Sequence, residues 1–362
     1  MERLQLDNSH LAPPDGTLLR QVILEHVIEI CRAFPADDRA LASVYTSHWC
    51  RSALLRAADV AIDYDTVLVL SGHATAFAYH PQRYHPLYTT PDPPEVVESR
   101  LASATGYRFE SLSADGPESA WRTIVQSLEE RRPIHGSYLD DVIFCGYEER
   151  DPPAARRLLV AGGWESLPWW TWDRFEKWMA EFGNMERLGT RCPVATESGI
   201  LFETVAAMVR AAENDSRRTA LHLDHAAYGL DGLRGFVRDM SDLTKPLEYW
   251  HPGWLGGHCV YRQISGRRAA ARFLEARAAD AGPTAQPLLA LAAAEFNAAS
   301  EAWAGWGRCL GTEAGATDAE DLRLLWLSIS NRRQGADQAA VALHHETEAA
   351  RHLKLALVKM AR

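Results

Sequence analysis

Apolar residues recur along the chain with two different spacings, which divide it into a mixed front part and a helical back part. Residues 1–16 include a Pro-Pro-Asp-Gly run and predict an irregular arm. Residues 17–34 have apolar side chains at helical spacing and predict an amphipathic helix that Pro35 ends. We therefore interpret residues 1–34 as an N-terminal arm followed by a helix.

Residues 35–190 mix helical and strand patterns. Residues 119–132 have the apolar spacing of an amphipathic helix, and residues 107–112 alternate as a strand does. Residues 141–147 and 157–163 are apolar runs on either side of a charged, Pro-containing segment, which predicts a β-hairpin. A tryptophan-rich segment follows, where Thr171 fits the N-cap of a helix.

After Cys192 and Pro193 the strand signals stop, so we place a domain boundary near residues 186–196. The remaining residues are rich in Ala and Leu at helical spacing, with interruptions at 242–257 and 280–286, and predict five or six helices. The expected fold class is α+β, with an α/β domain over residues 35–190 and an all-helical domain over residues 191–362.

Composition narrows the functional class. The 362 residues carry a formal net charge of −10, whereas nucleic-acid-binding proteins usually have a basic face. No apolar stretch is long enough to cross a bilayer, and the first residues lack a basic region followed by an apolar core. The six cysteines form no C-x-x-C pair. We expect a cytoplasmic protein that binds neither nucleic acid nor membrane.

Short motifs in both parts resemble one enzyme family. Residues 48–55 read His-Trp-Cys-Arg-Ser-Ala-Leu-Leu, residues 71–77 are the glycine-containing Ser-Gly-His-Ala-Thr-Ala-Phe, and residues 141–147 end in Gly-Tyr. In the back part, residues 256–262 read Gly-Gly-His-Cys-Val-Tyr-Arg and precede an Ala-rich helical segment. In this order the segments are similar to those of the butirosin-type acyltransferases of antibiotic biosynthesis. Those proteins resemble C39-type peptidases with a papain-like fold and carry a helical C-terminal region.

The resemblance implies a natural-product biosynthetic enzyme that acts on an aminoacyl group held by a carrier protein. It places the nucleophile at Cys50, near the start of a helix, where the helix dipole favours the reactive thiolate. The alternative is that Cys50 is a small buried side chain of the core.

The same comparison reveals a departure from the family pattern at the general base. A cysteine nucleophile needs a base, usually a histidine, but the expected strand start reads Leu139-Asp140-Asp141. His135 lies a few residues upstream and would need a shifted register. Desolvation raises the pKa of a carboxyl group, which allows it to act as a general base or acid, so Asp140 and Asp141 are catalytic candidates. The alternative is that both are ordinary turn residues.

Six further residues are candidates for substrate binding. His73 follows a glycine that allows close backbone approach, and Arg262 suits a carboxylate, a phosphate or a structural ion pair. Large aromatic residues at this density favour core packing over a ligand cage. The complete set is His48, His73, His135, Tyr147, Trp164 and Arg262.

We predict no cofactor and no metal. The sequence contains no Gly-rich phosphate loop, dinucleotide fingerprint or G-x-S-x-G elbow. His222, Asp224 and His225 lie within one helical turn, but this spacing alone is weak evidence for a metal site.

Three hypotheses for the function remain open. The first is a group transfer through Cys50 or an intramolecular displacement driven by Asp140 or Asp141, of which aziridine formation with expulsion of sulfate is the sharpest form. The second is a non-catalytic subunit that binds a carrier protein or a small companion protein. The third is a cysteine amidase or peptidase that uses Cys50 and His135.

Overall fold

The computed structural model describes residues 16–33, 46–80, 85–87, 92–137, 141–162, 168–213, 227–244, 260–309 and 328–361. The helices are α1 (Glu25–Arg32), α2 (Thr46–Ala57), α3 (Tyr64–Leu70), α4 (Pro94–Thr105), α5 (Pro117–Glu129), α6 (Trp172–Glu181), α7 (Glu197–Glu213), α8 (Gly229–Ser241), α9 (Tyr261–Arg277), α10 (Gln286–Cys309) and α11 (Ile329–Met360). The strands are β1 (Thr17–Ile23), β2 (Ala78–His80), β3 (His85–Leu87), β4 (Tyr107–Leu112), β5 (Ile134–Gly136), β6 (Val142–Asp151), β7 (Arg157–Gly162), β8 (Trp169–Thr171), β9 (Met185–Arg191) and β10 (Ala227–Tyr228). The protein belongs to the α+β class.

The chain forms two compact units. The first comprises Met1–Tyr64 and Tyr107–Cys192, and the second comprises Asp65–Gly106 and Pro193–Arg362. The sequence placed residues 65–106 in the front domain, whereas in the structure they group with the C-terminal helices. Contacts between residues distant in sequence cause this grouping, since the buried Asp92 carboxylate pairs with both Arg100 and Arg210.

The first unit is built on an antiparallel sheet with the strand order β4-β9-β5-β6-β7-β8. Strand β1 joins this sheet by pairing with the second half of β6. Helix α2 packs against β5, β6 and β9, and helix α5 packs against β5, β6 and α6. The predicted hairpin is confirmed, because β6 and β7 pair with Val142 opposite Gly162.

The core of the first unit surrounds the central strand β6. Residues 142–148 are buried without a break, so both faces of the strand are covered. The Phe144 ring meets those of Trp170 and Trp178, at 5.8 and 5.1 Å between centroids. On the neighbouring strand, Gly136 is required, because a Cβ there would lie 2.7 Å from the Phe144 ring. Trp170 and Trp178 of the tryptophan-rich segment pack in the core, which is the role that the sequence pattern favoured over a ligand cage.

Two elements of the first unit differ from the sequence prediction. Residues 17–34 are not one helix, because Thr17–Ile23 forms β1 and only Glu25–Arg32 is helical. Pairing with β6 is a contact between distant segments, and it overrides the local helical spacing. Strand β9 was not predicted, although it lies between β4 and β5 in the sheet. The N-cap at Thr171 is confirmed, since its hydroxyl accepts a hydrogen bond from the Arg174 N–H.

The second unit is mainly helical and contains the small antiparallel sheet β10-β2-β3. The residues described after Pro193 include five helices, α7 to α11. At the centre of this unit the Arg267 guanidinium, which is fully buried, forms two hydrogen bonds with the Glu346 carboxylate, at 3.0 and 2.7 Å. The Trp303 indole also donates to Glu346, at 2.9 Å. None of the described helices is long and apolar enough to cross a membrane.

The Arg267–Glu346 pair gives a test of the second unit. Replacing one partner leaves the other charge buried and unpaired, which costs far more than the loss of an exposed pair. We expect Glu346→Gln to lower the free energy of unfolding by about 3 kcal/mol, as measured by chemical denaturation. The matched control is Glu301→Gln, which removes an exposed pair with Arg268 and should cost less than about 1 kcal/mol. Equal losses in both variants would contradict this account.

Candidate functional site

Helix α2 presents Thr46, Cys50 and Arg51 to the sheet of the first unit. Thr46 and Cys50 are four residues apart and therefore lie on the same side of the helix. The Cys50 side chain is fully buried, and Ala53 and Leu54 of the same helix pack in the core of the first unit. Because α2 packs against β5, β6 and β9, its polar side chains reach Asp141, which precedes β6, and Glu186 of β9.

His135 and Glu186 face each other across two paired strands. His135 is the middle residue of β5, and the register places it directly opposite Glu186 of β9. Directly opposed residues in an antiparallel pair have their side chains on the same face. The face that carries them is the one from which Arg51 of α2 reaches Glu186, with two hydrogen bonds of 2.7 and 2.8 Å.

These contacts join five side chains in one chain of hydrogen bonds, which we call the His135 network: Arg51, Glu186, His135, Asp141 and Thr46. His135 bonds through Nδ1 to Glu186 Oε1 at 2.7 Å and through Nε2 to Asp141 Oδ1 at 3.1 Å. The Thr46 hydroxyl donates to Asp141 Oδ2 at 2.7 Å and accepts from the Asp141 N–H at 3.1 Å. Asp141 immediately precedes β6, so the network connects α2 with β5, β9 and the start of β6.

The charges in the network favour an imidazolium at His135. An ionised carboxylate only accepts hydrogen bonds, so both ring nitrogens must donate and the ring is cationic. Burial opposes this charge, but the hydrogen bonds and charges of Asp141 and Glu186 outweigh burial and raise the pKa of His135 to about 9. Burial also opposes the charge on Glu186, but Arg51 and His135 outweigh it and lower the pKa of this carboxyl to about 2.

Cys50 has the opposite electrostatic environment from the one expected for a nucleophile. Burial raises the pKa of its thiol well above the usual value, and the charges of Asp141 and Glu186 add to the increase. The sequence led us to expect a lowered pKa from the helix N-terminus, but Cys50 is the fifth residue of α2 and is completely buried. In addition, both nitrogens of His135 are bonded to carboxylates, so the ring has no nitrogen left to accept the thiol proton.

The structure brings together three of the residues predicted for the site. His135 and Asp141 are in direct contact, and Cys50 lies close enough for the Asp141 charge to raise the pKa of its thiol. His135 needs no shifted register for this contact, because it lies on its own strand, β5, beside β6.

Four other candidates lie elsewhere. The Tyr147 hydroxyl donates a hydrogen bond to Glu129 at 3.1 Å. Tyr147 is six residues after Asp141, which places it about 20 Å further along β6 at a rise of about 3.3 Å per residue. His48 is buried and contacts the Ser47 hydroxyl at 3.3 Å. His73 and Arg262 belong to the second unit, where His73 contacts the Ser71 hydroxyl at 3.0 Å.

Two predicted site residues, Asp140 and Trp164, lie outside the described residues, as does the His222 cluster. Within the described ranges, no group of three or more His, Cys, Asp or Glu side chains is arranged to hold a metal ion.

Sequence reasoning missed three members of the network: Thr46, Arg51 and Glu186. Arg51 was part of the motif around Cys50, but nothing in the sequence indicated its partner. Glu186 lies on β9, a strand whose alternation is weak and which the sequence did not predict. The only available signal was an acidic residue near the assumed domain boundary, and its pairing with His135 depends on a contact between residues 51 positions apart.

Comparison of the sequence with known proteins identifies no relative: no protein-family model and no curated protein matches the chain. The chemistry of the site is therefore inferred from its own residues.

The network predicts a specific dependence of stability on pH. The pKa of His135 is raised on folding, so its contribution is complete below about pH 6.5 and is lost as the pH rises through about 9. The pKa of Glu186 is lowered, so its contribution is complete above about pH 4.5 and is lost as the pH falls towards 2. Together they favour greatest stability between about pH 4.5 and 6.5.

We expect His135→Gln to remove the alkaline part of this profile. The free energy of unfolding of the wild type should fall between pH 6.5 and 9 by about 3 kcal/mol more than that of the variant. The control is His344→Gln, which changes an exposed histidine of α11 and should keep the wild-type slope. If the profiles of the wild type and His135→Gln run parallel, the assigned charge on His135 is wrong.

Proposed function

We propose that this protein is an enzyme of small-molecule biosynthesis in which the Asp141 carboxylate removes a proton from the substrate. The supporting observation is the set of hydrogen bonds around Asp141. Its two oxygens are fixed by His135 and Thr46 and its side chain is 16% exposed; Glu186 is equally exposed but is bound by Arg51 through two hydrogen bonds, which make it a weaker base. A carboxylate oxygen has lone pairs beyond those used by these two donors, so it can accept a further proton.

The geometry supports a carboxylate base better than a cysteine nucleophile. Covalent catalysis by Cys50 needs a thiolate and a base within hydrogen-bonding distance. Burial keeps the Cys50 thiol protonated, and His135 is occupied on both sides by carboxylates. This arrangement argues against acyl transfer through Cys50, and also against amidase or peptidase chemistry.

The proposed reaction is an intramolecular displacement that closes a small ring. An amine of the substrate gives its proton to Asp141, and the nitrogen lone pair forms a bond to a neighbouring carbon. The bond from that carbon to the leaving group breaks, and the leaving group departs with the electron pair. Aziridine formation with release of sulfate is the most specific form of this proposal, and it needs no oxidant, metal or cofactor.

The substrate class comes from the family resemblance. Helix α2, which carries Cys50, packs against an antiparallel sheet that carries His135, and this supports a papain-like first unit whose catalytic residues have been replaced. The butirosin-type acyltransferases act on carrier-bound aminoacyl groups. We therefore propose a small amino-acid-derived substrate attached to a carrier protein.

A second candidate function is a non-catalytic subunit that binds a carrier or a small companion protein. The favouring observation is that every member of the His135 network has its partner inside the network. Such a buried and internally satisfied cluster also serves to hold a helix against a sheet. Under this alternative the network stabilises the first unit and performs no chemistry.

The deciding experiment is turnover of a panel of carrier-bound amino-acid substrates with activated leaving groups, followed by intact mass. The variants are Asp141→Asn, Asp140→Asn and Cys50→Ala, and the control is Asp115→Asn, an exposed aspartate of the first unit. We expect Asp141→Asn to reduce kcat by about 10²–10⁴-fold, which is the range for loss of a general base. Cys50→Ala and Asp115→Asn should stay within about threefold of the wild type.

Thermal unfolding of each variant separates loss of chemistry from loss of the fold. A covalent adduct on the wild type that disappears in Cys50→Ala would instead establish acyl transfer. Absence of turnover by the wild type, together with co-purification of a small protein partner, would favour the non-catalytic subunit.

A further inference from the structure

The first unit contains a cavity that is separate from the His135 network. It has a volume of about 310 Å³, which is at the lower end of the range for small-molecule sites. Its apolar lining comes from Leu54 and Ala57 of α2 and Leu188 of β9. Leu54 and Ala57 are eight and eleven residues after Thr46, so the cavity lies roughly 12–17 Å along the helix axis from the Asp141 contact. It is therefore a different place from the proposed proton acceptor.

Three arginines from two segments of the chain line this cavity. Arg131 and Arg132 follow α5, and Arg191 is the last residue of β9. No acidic residue is among the described residues that line it. One carboxylate is near a cavity arginine, since Glu130 lies 3.7 Å from Arg132 and 3.9 Å from Arg187. Glu110 accepts a hydrogen bond from the Thr190 N–H at 3.2 Å.

The Arg191 side chain is held in place through its Nε atom, which leaves its terminal nitrogens for a ligand. Its Nε donates to the Tyr107 hydroxyl at 2.7 Å, and the guanidinium lies over the Tyr107 ring at 5.2 Å. Tyr107 is directly opposite Arg191 in the pairing of β4 with β9. This contact fixes the side chain through Nε, and the two terminal nitrogens remain for a ligand. Terminal nitrogens of arginine bind oxyanions through charge-assisted hydrogen bonds.

The backbone of Arg131 provides an independent indication. Its φ is 60°, in the left-handed region that glycine usually occupies after a helix. The turn is fixed on both sides, because the Arg132 N–H donates to the Ser127 carbonyl at 2.8 Å and the Ser127 hydroxyl donates to the Arg132 carbonyl at 2.9 Å. A basic residue near a helix C-terminus is ordinary. A bulky side chain in this strained conformation is uncommon, and such strain is concentrated at functional sites.

We propose that this cavity binds the oxyanion of a small molecule, with Arg131, Arg132 and Arg191 around the charged group and the apolar residues around its stem. The ligand class is a phosphate monoester, a sulfate monoester or a free carboxylate attached to a short apolar chain. This inference depends on the geometry of the first unit and not on the proposed reaction at Asp141. It is therefore tested without turnover.

The experiment is calorimetric titration of the full chain with four probes: butyl phosphate, butyl sulfate, butyrate and butylammonium. We expect binding of at least one anion and none of the cation, and the anion that binds most tightly identifies the charged group of the natural ligand. Added salt should weaken binding, because the contacts are between charges at the surface.

Arg131→Gly is the most informative variant. Glycine suits the left-handed φ, so the fold should be retained or stabilised while the guanidinium is removed. We expect at least tenfold weaker anion binding in Arg131→Gly and in Arg191→Gln, with an unchanged or higher Tm for Arg131→Gly. The control is Arg122→Gln, an exposed arginine of α5 outside the cavity, which should bind as the wild type does.

Three results would overturn the proposal. They are absence of anion binding to the wild type, equal binding of butylammonium, and the same loss in Arg122→Gln as in Arg131→Gly.

Discussion

The imidazole of His135 lies in the interior of the first unit with a carboxylate on each nitrogen, and this arrangement constrains everything around it. A buried charge is tolerated only when it is paired and hydrogen-bonded. Here two cations, Arg51 and His135, alternate with two anions, Glu186 and Asp141, so the network is neutral as a whole. Loss of any member leaves a neighbour buried without its partner.

The same arrangement explains which groups are available for chemistry. Cys50 is near the network, but its environment disfavours the thiolate. Burial raises the pKa of the thiol, and the negative charges of Asp141 and Glu186 raise it further. His135 is held in one protonation state by its partners over the physiological pH range. Asp141 and Glu186 are both fixed in orientation and 16% exposed. Glu186 is held by two hydrogen bonds from Arg51 and one from His135, which lower its pKa to about 2, whereas the hydrogen bonds described for the Asp141 carboxylate come from His135 and Thr46. The proposed role of Asp141 as a base follows from this difference between neighbouring groups.

Features of the first unit that depend on short stretches of sequence were predictable. The β6–β7 hairpin, strand β4 and the cap at Thr171 each follow from residues close together in the chain. Strands β1 and β9 were not predictable, because each is stabilised by pairing with a distant strand and has a weak pattern of its own. The site shows the same division: Asp141 was a candidate from its position at a strand start, whereas Arg51 and Glu186 acquire their roles only through folding. The cavity beside Arg131 had no sequence signal at all.

Nitrogen-15 NMR of labelled histidine measures whether His135 is an imidazolium held by Asp141 and Glu186. Both ring nitrogens of His135 should be protonated at pH 7, and the ring should titrate with a pKa of about 9. Glu186→Gln should then lower this pKa, because one of the two stabilising carboxylates is removed. A neutral ring at pH 7 with a pKa at or below 6.5 would show that the two carboxylates do not hold a cation at His135, and the role assigned to Asp141 would lose its basis.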